Sequence, residues 1–156
     1  MTNWVEAARE RIGAHGAVVR ASRVVGKVSA PREAGSMMLI TEDDIWQTIG
    51  GGTLEFTVMT RAREMLADSA AAPWARTVMR AALGPDMGQC CGGTVKVLLE
   101  ILSQADINKL SKHSQKLVVL EHPLKSGAST EVLRTDDDKN FKPFLKKESF
   151  ILPTAK

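Results

Sequence analysis

Apolar residues recur along the chain with two different spacings, which predict the order of helices and strands. Apolar side chains separated by three or four residues indicate amphipathic helices. The clearest such stripe contains Leu54, Val58 and Ala62, with the charged residues of that stretch lying off it. The predicted helices are residues 3–14 with Asn3 as N-cap, the segment that follows Gly52, and residues 105–113.

Short apolar or alternating stretches fill much of the remaining chain and predict strands. Val95, Val97, Leu99 and Ile101 alternate with other residues, as expected for a strand with one fully apolar face. Strands that cluster with few helices between them favour an α+β fold, a mostly antiparallel sheet with a few flanking helices. The predicted strands are residues 17–29, 37–41, 45–49, 95–102, 117–121 and 130–134, with 150–153 a last strand or the start of a linker. Residues 76–83 are compatible with a strand or a helix, and we favour a strand.

Length and composition predict one globular domain. The chain has 156 residues, 44% of them hydrophobic and 25% charged, which is ordinary for a soluble domain. No apolar run approaches the roughly 20 residues that span a bilayer, and the first residues do not resemble a signal peptide, so we expect a cytoplasmic protein without a membrane partner. Composition changes after Thr135, which predicts a domain over 1–135 and a linker or C-terminal extension over 136–156.

The charge pattern argues against nucleic-acid binding. The net charge is +3, from 21 basic and 18 acidic residues. No segment forms a dense basic stripe, and aromatic residues are not interleaved with the lysines and arginines. We therefore predict no nucleic-acid partner.

The two cysteines, Cys90 and Cys91, are adjacent and do not predict a structural disulfide. Neighbouring Cα atoms lie about 3.8 Å apart, whereas disulfides prefer roughly 4.4–6.8 Å. Free cysteines are often small buried hydrophobic residues. These two lie in a glycine-rich turn segment, however, which favours presented thiols able to bind a soft metal or a sulfur-bearing cofactor. Both interpretations remain open from the residues alone.

A run of three glycines, Gly50, Gly51 and Gly52, separates a predicted strand from the strongest predicted helix. Such a loop exposes backbone N–H groups at a helix N-terminus, an arrangement that suits a phosphate or another anion. The alternative is a tight turn that needs glycine only for its backbone geometry, with Thr53 capping the helix and Glu55 favouring the helix dipole. In an earlier loop, Arg32 is either a donor to an anionic ligand or an exposed turn residue.

Three loop segments together resemble the XdhC/CoxI family, the xanthine dehydrogenase accessory proteins. They read PREAGSMM at 31–38, TIGGGTLE at 48–55 and LGPDMGQCCGG at 83–93. The resemblance is clear over residues 1–103 and looser beyond. Family members typically continue into a C-terminal Rossmann domain, which has no counterpart in these 156 residues.

The resemblance implies a maturation chaperone rather than a metabolic enzyme. Family members bind the molybdenum cofactor, protect it while a cysteine desulfurase exchanges an oxo ligand for sulfur, and help insert it into a xanthine dehydrogenase-like molybdenum hydroxylase. It also implies a homodimer. Cys91 is the expected contact to molybdenum. The other expected cofactor-binding residues are Cys90, Gln89, Gly92, Gly93, Gly50, Gly51, Gly52 and Arg32.

Two other functions remain compatible with the residues. The thiols would suit a sulfur- or selenium-transfer enzyme, which predicts a cysteine with a depressed pKa. Alternatively, the chain is purely a protein-interaction domain that docks on the hydroxylase. These alternatives differ in whether cofactor is bound and whether a thiol is required.

Overall fold

The computed structural model describes residues 4–24, 36–68, 75–83, 93–111, 118–123, 131–135, 144–146 and 149–153. The predicted α+β class is confirmed, since these residues form three helices and two antiparallel sheets. The helices are α1 (Trp4–His15), α2 (Gly52–Ala67) and α3 (Gln104–Ser111). No helix among them is long and apolar enough to cross a membrane.

The larger sheet has five strands in the order β3-β2-β1-β5-β4, and every neighbouring pair is antiparallel. Its central strand β1 is buried along almost its whole length because helices cover both faces of the sheet. The strands are β1 (Ala17–Val24), β2 (Met37–Ile40), β3 (Ile45–Gln47), β4 (Arg76–Leu83) and β5 (Gly93–Ser103).

Alternating side chains of the five-stranded sheet divide the core into two layers. Val18 and Leu102 belong to the layer that packs under α1 and α3, together with Trp4 and Ile12. Val19 and Leu99 belong to the opposite layer, which α2 covers with the predicted stripe Leu54, Val58 and Ala62. Successive strand residues point to opposite faces, so a strand covered on both sides must be apolar at nearly every position.

A second sheet has four antiparallel strands in the order β7-β6-β9-β8. The pairing of β6 with β7 confirms the predicted last hairpin. Residues 150–153, predicted as a strand or the start of a linker, belong to a strand, β9. The strand β8 was not predicted. This sheet joins strands from both sides of the boundary predicted at residue 135. The strands are β6 (Val118–Pro123), β7 (Glu131–Thr135), β8 (Phe144–Lys146) and β9 (Ser149–Pro153).

Most predicted element bounds agree with the structure to within two residues, and two details differ. Helix α2 begins at Gly52 with Gly51 as its N-cap, so the suggestion that Thr53 caps it is wrong. The long first strand is described only as far as Val24, and its predicted continuation to residue 29 lies outside the described residues, as does Asn3.

Candidate functional site

The strand ends that flank the three motif segments lie at the same end of the five-stranded sheet. The segment that contains Arg32 leaves β1 after Val24 and returns to β2 at Met37. The segment that contains both cysteines leaves β4 after Leu83 and returns to β5 at Gly93. The antiparallel register places these strand ends at the same end of the sheet, since Ser22 is opposite Met37 and Val24 is opposite Lys96.

The triple-glycine loop starts at this same end. β3 runs antiparallel to β2, and Gln47 at the end of β3 lies opposite Met38 near the start of β2. Neighbouring strands in a sheet are about 4.8 Å apart. β1 and β5 are direct neighbours, and Val24 at the end of β1 lies opposite Lys96, three residues after the start of β5 at Gly93. The described strand ends that flank motifs separated along the sequence thus lie at one end of the sheet.

The loop before α2 needs its glycines for backbone geometry. The φ angles of Gly50, Gly51 and Gly52 are 123°, 73° and 67°, a region that L-residues with a Cβ rarely adopt. Gln47 also has a positive φ of 66°, just before the loop. A chain that must turn from β3 into the start of α2 through successive left-handed positions therefore requires this glycine run.

The carboxylate of Glu55 occupies the inside of this loop. Its Oε2 accepts hydrogen bonds from the backbone N–H of Ile49 at 3.2 Å and of Gly51 at 3.0 Å, and from the hydroxyl of Thr48. The N–H of Gly50 in turn donates to Thr48 Oγ1 at 3.1 Å. An internal carboxylate thus takes the position that a bound anion would need at these amides, and the geometry favours the tight-turn interpretation of the loop.

Removing this carboxylate should loosen the loop. We expect Glu55→Ala to lower the free energy of unfolding by about 1–2 kcal/mol, because buried N–H groups lose a charged acceptor. Urea unfolding followed by tryptophan fluorescence measures the change. Glu64→Ala is the matched control, since Glu64 pairs with Arg61 on the exposed face of the same helix and should cost less than about 0.5 kcal/mol. Equal losses in the two variants would contradict the role of Glu55.

Arg23 joins the end of β1 to the glycine loop and was not singled out from the sequence. It is 7% exposed, and its Nη1 donates to the carbonyl oxygen of Ile49 at 3.4 Å. Burial lowers the pKa of its guanidinium from the ordinary value. The alternation of β1 could have identified Arg23, because Arg23 shares a face with Val19 and Ala21 and is the one charged residue among these apolar ones.

The structure leaves several predicted site residues undescribed. Arg32, Gln89, Cys90, Cys91 and Gly92 lie outside the described residues. Gly93 is the first residue of β5, and Gly50–Gly52 form the loop at the start of α2. Within the described part of the chain no group of three or more His, Cys, Asp or Glu side chains is placed to hold a metal ion. The predicted cofactor contacts stay predictions.

A buried cluster of charges lies under α1 on the opposite face of the sheet from α2. Glu100 on β5 accepts from Arg76 Nε at 2.7 Å and from Arg20 Nη1 at 3.5 Å, and all three side chains are fully buried. The ring of Trp4 packs 4.2 Å from the Arg20 guanidinium carbon, a cation–π contact. Burial lowers the pKa of Arg20 to about 10, while Glu100 raises it and Arg76 lowers it. Arg20 thus remains charged at neutral pH.

A cavity of about 410 Å³ lies at the other end of the sheet. Its polar lining residues are His15, Glu42 and Arg63, and Arg63 Nε donates to the carbonyl oxygen of Thr41 at 3.2 Å. The start of β1 and the end of α2 complete it. It is therefore separate from the end of the sheet where the strand ends flanking the motif segments lie.

Comparison with known proteins agrees with the family resemblance. A family model described as the XdhC and CoxI family matches residues 11–79, which include the first two of the three motif segments. No curated protein is significantly similar to the chain.

A solved structure with a similar fold was found. It is a protein from Bacillus halodurans described as a xanthine dehydrogenase, with a TM-score of 0.67 and 20% sequence identity. The match covers 97% of this chain and 52% of that protein, so the chain spans about half its length. The motifs and the family match together identify residues 11–79 of the chain as similar to the XdhC and CoxI family.

Proposed function

We propose that this chain is an accessory protein that binds the molybdenum cofactor and helps deliver it to a xanthine dehydrogenase-type molybdenum hydroxylase. The observation that carries the proposal is that the described strand ends flanking the three motif segments lie at one end of one sheet. A ligand that contacts all three segments would have to bind there. The family match over residues 11–79 supports an accessory role connected with a xanthine dehydrogenase-type enzyme, and the ligand is proposed from the family resemblance of the three motif segments.

The residue types at this end suit a ligand with an anionic part and a soft metal. The thiolate of Cys91 would be the soft ligand for molybdenum, with Cys90 as a second one, and Gln89 and the glycine amides would hold polar groups. Arg23 adds a guanidinium at this end, and Arg32 belongs to the segment that leaves from it. Because Glu55 already accepts from the loop amides, we assign the phosphate of the cofactor to Arg32 rather than to the helix N-terminus.

The remaining steps of the proposal concern partners. We propose that a cysteine desulfurase acts on the cofactor while it is held, that the client is the catalytic subunit of a hydroxylase, and that the chain acts as a homodimer. The support for these partners is the family alone. Each can be tested by co-purification, with and without bound cofactor.

The decisive measurement is the molybdenum and pterin content of the purified chain from a molybdenum-replete host. We expect the Cys91→Ser variant to lose most of both, measured by elemental analysis and pterin fluorescence. Cys90→Ser is the matched control, since it removes the neighbouring thiol, and we expect a smaller loss.

Two results would contradict the proposal. Unchanged molybdenum in Cys91→Ser would rule out the thiol contact. A wild-type chain that binds the hydroxylase but carries neither molybdenum nor pterin would favour a purely protein-interaction function instead.

A further inference from the structure

The two edges of the five-stranded sheet differ in how they are protected. At one edge, β3 has only three residues and ends at Gln47 in a left-handed conformation. At the other edge, β4 pairs with β5 over eight residues without a register shift and contains no proline. Among the described residues, no strand pairs with the outer side of β4. A long, regular edge strand is the kind that accepts another strand.

One hydrogen bond identifies which backbone groups of β4 face outward. The N–H of Ile101 donates to the carbonyl oxygen of Ala75 at 2.9 Å, which makes these two residues a hydrogen-bonded antiparallel pair. Hydrogen-bonded and non-hydrogen-bonded pairs alternate along the ladder. The outward N–H and C=O groups of β4 therefore belong to Arg76, Val78, Arg80 and Ala82.

The exposed part of this edge is positively charged. Arg80 is exposed and lies directly opposite Lys96 on β5, so two cations face each other across neighbouring strands. Like charges in this position are destabilising. Within the described part of the chain, neither forms a salt bridge, and the carboxylate of Glu100 further along this face is already bonded to Arg20 and Arg76. A carboxylate placed beside Arg80 would relieve the repulsion.

We propose that the outer edge of β4 binds an extended acidic segment of a partner protein, which adds to the sheet as a further strand and places a carboxylate against Arg80. Backbone bonds to the outward groups would supply affinity, and the charge would supply selectivity. A second copy of this chain would bring its own Arg80 and Lys96 to the same contact, which disfavours self-pairing. The inference goes beyond the proposed function, since it requires neither cofactor nor cysteine.

The test uses the full chain and two short fluorescent peptides, one alternating valine with glutamate and one alternating valine with lysine. Fluorescence anisotropy at low salt should show the glutamate peptide binding at least about tenfold more tightly, an effect of charge pairing of the order of 1.4 kcal/mol. Arg80→Glu should reverse this preference. The control is Arg9→Glu on the exposed side of α1, which changes the net charge by the same amount. It should leave the preference for the glutamate peptide as in the wild type.

A second variant tests the backbone contact. Ala82→Pro removes an outward N–H without removing a β4–β5 hydrogen bond, and proline is tolerated on edge strands. It should abolish binding of the glutamate peptide while urea unfolding shows a folded chain; if it does not fold, the Arg80→Glu reversal decides alone. Equal binding of the two peptides, or binding of neither, would overturn the proposal. So would a dimer in sedimentation that Ala82→Pro dissociates, because a second copy would then occupy the edge.

Discussion

Replacing Glu100 with alanine is expected to lower the free energy of unfolding by about 3–5 kcal/mol, the cost of leaving buried charges without their partner. Glu100 is the carboxylate that both Arg20 and Arg76 contact, and all three side chains are excluded from water. Its removal leaves two guanidinium groups together in the layer beneath Trp4. Repulsion between them adds to the lost attraction, so the expected effect is larger than for an exposed ion pair.

Urea unfolding followed by circular dichroism measures this effect, with Glu10→Ala on the exposed side of α1 as the matched control. The control should change stability by less than about 0.5 kcal/mol. An apolar replacement of the whole cluster (Arg20→Met, Arg76→Met and Glu100→Leu together) should recover most of the loss, because desolvated ion pairs contribute little net stability. A loss in Glu100→Ala no greater than in the control would show that the cluster is not held as described.

Leu99→Ala is expected to lower the free energy of unfolding by about 2–5 kcal/mol. Leu99 is fully buried near the middle of β5, in the layer that α2 covers with Val58 and Ala62. The leucine side chain loses its transfer free energy, and the neighbouring side chains cannot fully close the cavity. An interior strand packed on both faces has little freedom to adjust, so we expect a loss well above that of a surface substitution.

The matched control for Leu99→Ala is Phe56→Ala. Phe56 is a larger apolar residue on α2, but it is 70% exposed, so its truncation should change stability by less than about 0.5 kcal/mol. Urea unfolding of both variants gives the comparison. If Phe56→Ala were the more destabilising of the two, α2 would have to pack on the sheet through a different face.

The glycine loop is predicted by the local sequence in its position, but not in its contacts. The residues 50–52 predict a turn between a strand and a helix, and Glu55 in the first helical turn is visible in the sequence. Whether the loop amides are open to a ligand depends on where the Glu55 side chain points, and rotamers of a half-buried glutamate are chosen by its surroundings. The structure places that carboxylate on the N–H groups of Ile49 and Gly51.

Arg23 was missed in the sequence for a different reason. Alternation assigns it to the apolar face of β1, but a single arginine on such a face is equally consistent with an exposed strand end. Only the position of Ile49, which lies 26 residues further along the chain, gives Arg23 its partner. The sequence therefore predicted the strand and missed the residue that ties it to the loop.

The sequence by itself determined most elements of the described part of this protein: its three helices, most of its strands and the α+β class. These follow from hydrophobic periods and turn residues, which act over a few neighbours. Only the tertiary structure decided the strand order, the position of the strand ends that flank the motif segments, and the contact of Arg20 with Glu100, 80 residues away. A strand that is apolar on both faces can pair with several other strands equally well. Strand pairing is therefore decided by which arrangement buries the apolar faces of the whole chain.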